Sequence, residues 1–126
     1  DDTDTALHAG TRANPGSIGV EVVGFAANSQ TWNPAVIDSL SQLVAWLSDT
    51  YGIPLVWTSN PADIPAGEYW PGFVAHSALD PARRTDPGRH FAPQRVGLTG
   101  TGGSSTPAGA FAVVALITIW ALYGRR

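Results

Sequence analysis

Between Phe73 and Gly88 the chain sets a short apolar run, a histidine, a polar loop and an Asp-Pro-Gly turn in immediate succession. Phe73-Val74-Ala75 reads as a buried strand that ends in His76, and Asp86 follows ten residues on, pinned by Pro87 and Gly88. A histidine with an aspartate ten residues on is common by chance, but the strand before it, Arg84 between and the closing Asp-Pro-Gly make the pattern more specific. Imidazole nitrogen and carboxylate oxygen are both good zinc donors, and a catalytic zinc takes three protein ligands and one open position. His76 and Asp86 are candidates for two of the three. The plainer alternative is a loop histidine beside a turn aspartate, and the spacing alone does not choose between them.

The rest of the chain supplies the frame. Ser17-Ile18-Gly19-Val20-Glu21-Val22-Val23-Gly24-Phe25 is β-branched and apolar, which predicts a strand buried on at least one face. Glu21 interrupts it. A carboxylate there either points to solvent or is aimed into a site, where partial burial favours general-base use. Asn33-Pro34 opens the clearest helix, with Asn33 as cap, Pro34 in the first turn and Gly52 past the end. Val36, Leu40, Leu43, Val44, Leu47 and Tyr51 form its apolar stripe, broadened by Ile37 and Trp46. Ile53 to Trp57 reads as the next strand. Thr58 to Gly72 is rich in proline and glycine and reads as a long ordered loop flanked by Trp57, Tyr69 and Trp70. Such aromatics either pack or form a platform for sugar or peptide, packing being the commoner use.

Composition excludes some classes of function. Charged residues make up 13% of the 126 and the net charge is −3, so there is no basic footprint for nucleic acid. With no cysteine, neither a disulfide framework nor a thiolate metal site is available. Methionine is absent too, which predicts that the chain does not begin at a start codon. The acidic start, Asp1 to Thr5, reads as a surface end. His8 stands among small residues ahead of a turn signal at Asn14-Pro15-Gly16, and is either structural or part of a cleft.

Beyond Phe91 the character changes. Residues 97–107 are rich in Gly, Ser and Thr and read as a linker. Ala108 to Tyr123 is apolar apart from Gly109 and Thr118. As a helix it would reach about 24 Å, short of the roughly 30 Å hydrocarbon core. Its lack of a polar face, Trp120 and Tyr123 near one end and the terminal arginines nevertheless suit a transmembrane helix, with burial in an assembly as the alternative. The predicted organisation is a domain over 1–95, a linker over 96–107 and an apolar helix over 108–126.

Three separated pieces, Leu7-His8-Ala9-Gly10, Ser17 to Glu21 and His76 to Gly88, together with the Tyr-Gly-Ile-Pro exit of the helix, resemble the type 2 N-acetylmuramoyl-L-alanine amidases. That superfamily includes peptidoglycan recognition proteins and many phage endolysins. The resemblance covers roughly Leu7 to Phe91. It implies an α/β fold with a mixed central sheet and packed helices, and a zinc ion held by two histidines and a third ligand. On this resemblance His76 matches the second histidine and Asp86 the third ligand. Glu21 matches a carboxylate that helps activate the water, and Arg84 stands where a lysine usually stabilises the oxyanion. His8 and Asn14 match positions near the substrate cleft. The implied reaction is hydrolysis of the amide between N-acetylmuramic acid and L-alanine of the stem peptide.

Two departures accompany it. Arginine supplies charge but cannot act as a proton donor as lysine can. The family's first zinc histidine lies on an early strand ahead of the segment matching His8, so the expectation is an incomplete site or a preceding segment that pairs with this chain. The expected partners are peptidoglycan, a membrane through residues 108–123 and assembly subunits. The expected location is a membrane-anchored, extracytoplasmic domain or a phage particle. A non-catalytic peptidoglycan-binding module and a structural virion or membrane subunit are the competing functions.

Overall fold

A computed structural model of the chain describes residues 17–64, 70–100 and 114–120. Four strands form one sheet in the order β1-β4-β3-β2, where β1 is Ser17–Val23, β2 Trp57–Thr58, β3 Phe73–Ala75 and β4 Val114–Trp120. Every ladder among them is parallel, rather than the mixed pattern expected. Among the described residues the α-helices are α1, Pro34–Tyr51, and α2, a single turn over His76–Leu79. The α/β class holds.

Helix α1 begins and ends as its sequence dictates. Asn33 lies in the extended region and its side chain accepts from the Val36 N–H, which satisfies one of the orphan donors of the first turn. Gly52 adopts φ +68° and its N–H returns to the Ser48 carbonyl, a left-handed cap. The buried stripe is Ile37, Leu40, Val44 and Leu47, with Val36 and Leu43 at its margins. Tyr51 and Trp46 are exposed and meet each other edge to face at 5.6 Å, off the core-facing side.

Strand β1 alternates as a one-sided strand should. Ile18, Val20 and Val22 pack against the core while Gly19, Glu21 and Val23 are exposed. Strand β3 is buried completely at Phe73, Val74 and Ala75. Trp57 and Phe91, at 5.0 Å, and Trp32 and Phe91, at 4.7 Å, extend the core as an aromatic cluster. The predicted strand from Ile53 is shortened to Trp57–Thr58, preceded by a single bridge from Val56 to Thr99. Val96 and Leu98 are buried in the core, so the packed body includes the first residues assigned from composition to the linker. A 3₁₀ turn over Pro93–Val96 opens on Pro93 and is closed by Gly97 in the left-handed region.

The largest correction concerns the C-terminal apolar segment. Residues 114–120, expected within a helix across a membrane, form β4, paired along its whole length with β1 and at three positions with β3. Among the described residues no helix is long and apolar enough to cross a membrane. Paired on both sides, the strand has its backbone N–H and C=O groups taken up by its neighbours in the sheet.

Candidate functional site at the end of strand β3

The site forms where β3 gives way to α2. Ala75 is the last strand residue and His76 the first of the helical turn, so the imidazole stands at the carboxyl edge of the parallel sheet. That edge is where open α/β sheets place their ligands, because the loops leaving successive strands converge there. The chain then runs through the loop and returns at Asp86, whose carbonyl accepts from the Ser77 N–H at 3.0 Å. His76 Nδ1 and Asp86 Oδ2 lie 3.1 Å apart, both side chains almost entirely buried. The spacing read from the sequence is thus closed into a contact in space.

The turn that holds Asp86 is tightly seated. The Asp86–Pro87 peptide is cis, and Pro87 is buried. Gly88 has φ +82°, and a Cβ there would stand 2.3 Å from the Ala26 carbonyl oxygen. Glycine is required on both counts. The loop that leaves β1 is thereby pressed against the turn that carries the carboxylate.

Glu21 reaches the same edge from β1. It pairs in register with Thr118 of β4, while Ala75 pairs with Ile117, so Glu21 stands level with the position just past Ala75. One strand lies between them, which sets the lateral separation at about 10 Å. Glu21 is exposed, on the face of β1 opposite the core-packing Val20 and Val22. Of the two readings of this carboxylate, the solvent-facing one describes its surroundings, and its position at the site's edge keeps the other alive. Arg84 is half-buried in the loop, and its N–H bonds the Asp80 carbonyl at 2.9 Å. Asp80, in the same loop, is engaged by the Arg83 guanidinium at 2.8 Å. His8 and Asn14 lie outside the described residues.

The buried pair fits a zinc ion as two of its ligands. Two donors at about 2.0–2.1 Å on a tetrahedral ion are separated by about 3.3 Å, close to the distance observed here. The same geometry serves as a hydrogen bond, since Nδ1 either donates to Asp86 or ligates. Among the described residues no third histidine, cysteine, aspartate or glutamate joins the pair in a group able to hold a metal.

A cavity of about 540 Å³ opens beside the pair. Trp57 and Phe91 contribute to its wall, as do Ser77 and Thr85, the sequence neighbours of His76 and Asp86. Trp57 therefore both packs and borders the cleft, and Tyr69 lies outside the described residues. On the β2 side the Asp63 carboxylate accepts from Thr58 Oγ1 at 2.6 Å and from Asn60 Nδ2 at 3.3 Å. Sequence reading passed over Asp63 and Asn60, although Asn-Pro-Ala-Asp after a strand is a recognisable side-chain-capped turn.

Sheet edge, buried His–Asp pair and adjoining polar cleft define an α/β domain with a candidate site at the carboxyl ends of its strands. Comparison with known families matches residues 1–89 to Amidase_2, N-acetylmuramoyl-L-alanine amidase. The chain belongs to this family, as the resemblance over Leu7 to Phe91 implied. Membership carries peptidoglycan amidase-type function in general, with peptidoglycan as the substrate class. Neither curated proteins nor solved structures gave a significant match.

Proposed function

We propose that the chain hydrolyses the amide between N-acetylmuramic acid and L-alanine in peptidoglycan, with zinc held by His76 and Asp86. The observation that carries this reading is the buried 3.1 Å contact of those two side chains at the end of β3. Burying both groups is costly unless each is satisfied by the other or by a cation, so the pair is a built feature. Bound zinc would polarise the scissile carbonyl and lower the pKa of a water molecule. Glu21, across one strand, leaves room for that water and for the carbonyl, and takes the proton as general base. Arg84, in the loop between the two ligands, stabilises the charge on the tetrahedral oxygen without donating a proton. The third ligand comes from outside the described residues.

A second reading, recognition of peptidoglycan without cleavage, is favoured by the absence of a third ligand among the described residues. Zinc content of the purified chain, measured with muropeptide release from cell walls, separates the two. Near one zinc per chain with release that disappears in Glu21→Ala while zinc is retained supports catalysis. Wall binding without zinc or release supports recognition, and unchanged release in Glu21→Ala would remove Glu21 from the mechanism.

A further inference from the structure

The cavity beside His76 and Asp86 has a divided polar wall. On the β2 side, Thr58 Oγ1 donates to Asp63 and accepts from the Asn60 N–H, and the Asn60 amide is engaged by Asp63 and by the Ala62 N–H. That wall is internally satisfied, with its shape held by Asp63. The opposite wall is different. Ser77 and Thr85 adjoin the pair, and Arg89 is the one charged residue among the described lining residues, with no carboxylate beside it in that lining. Arg89 is exposed, and its hydrogen bond to His90, long at 3.4 Å, uses Nε and not the Nη fork.

The position of Arg89 limits what it can touch. It follows Asp86 by three residues, so the two Cα atoms lie within about 11 Å even for extended chain. A carboxylate one residue beyond the hydrolysed amide's alanine lies about 7 Å from that amide, within the guanidinium's range when the amide stands at the pair. An arginine fork matches a carboxylate in two parallel hydrogen bonds, a geometry that a neutral amide does not reproduce. We propose that Arg89 reads the first free carboxylate of the stem peptide, and that the chain prefers peptides in which this group is ionised over those in which it is amidated. The proposal rests on the peptidoglycan-amidase reading above and adds to it a specificity residue.

The test is calorimetric titration of the whole chain with N-acetylmuramoyl-L-alanyl-D-glutamate and with its amide counterpart, N-acetylmuramoyl-L-alanyl-D-isoglutamine. The wild type is expected to bind the acid about three- to tenfold more tightly, the range set by a charge-assisted bond in a partly hydrated cleft. The preference should shrink as salt is raised. Arg89→Gln should bind both compounds alike, and Arg89→Lys should keep part of the preference. Because Arg89 is exposed, these substitutions leave the core intact. Equal binding of both compounds by the wild type, or a preference that persists in Arg89→Gln, overturns the role of Arg89 alone. Failure of the wild type to bind either compound overturns the amidase reading and this proposal with it.

Discussion

Gly88→Ala is the substitution for which the structure supplies the clearest arithmetic. At φ +82° an alanine pays a left-handed backbone cost of roughly 1 kcal/mol. Its Cβ would also stand 2.3 Å from the Ala26 carbonyl oxygen and 2.9 Å from the Ala26 carbonyl carbon. Backbone atoms cannot rotate away, so the turn or the loop after β1 must move by about 1 Å. A forced shift in a packed region costs on the order of 2 kcal/mol more. Gly52→Ala is the matched control, because Gly52 has φ +68° and a Cβ there meets nothing within 4 Å. Urea titration followed by tryptophan fluorescence should show a loss of about 1 kcal/mol for Gly52→Ala and about 3 kcal/mol for Gly88→Ala, with the denaturant slope unchanged. In thermal melts the larger loss corresponds to roughly 10–15 °C. Gly88 lies two residues from Asp86, so muropeptide release by the folded variant should fall as well. If Gly88→Ala is no less stable than Gly52→Ala, the packing of the Asp-Pro-Gly turn against Ala26 is wrong, and with it the account of how Asp86 is held.

Two further outcomes follow from the same geometry. Asp86→Ala leaves the buried His76 imidazole without its partner and should cost about 1–3 kcal/mol, with Asp86→Asn costing less; equal stability of all three proteins in urea would show that the contact contributes nothing. A chain ending at Thr106 lacks β4, the strand that joins β1 to β3, and should lose hydrogen-exchange protection across Ser17–Val23 and several kcal/mol of stability; a truncated chain with protection unchanged there would refute the sheet order.

Helix α1 was legible because its signals are local. An Asn-Pro start, a Gly stop and a stripe repeating at three and four residues act within a turn or two of themselves, whatever the rest of the chain does. Tyr51 and Trp46 were misplaced because periodicity says which residues share a side, while the partner surface says where that side ends. The strand at Phe73–Ala75, and His76 and Asp86 as candidates, were also readable in advance, since an apolar run followed by turn residues leaves little choice. That the two side chains meet, buried, was a matter of how the loop closes.

Residues 114–120 show the limit most plainly. Val114 to Trp120 is a short apolar run, and such a run serves equally as a strand buried on both faces or as part of an apolar helix. No residue inside it distinguishes the two. The choice was made by β1 and β3, whose facing edges each carry unpaired N–H and C=O groups that only a strand between them can satisfy. The sequence by itself determined the helix and the strand that carries the histidine, because those depend on neighbours along the chain. The tertiary structure decided the fate of the last apolar segment, and through it the place of Glu21 one strand away from His76, because backbone hydrogen bonds between distant segments leave no mark on either sequence alone.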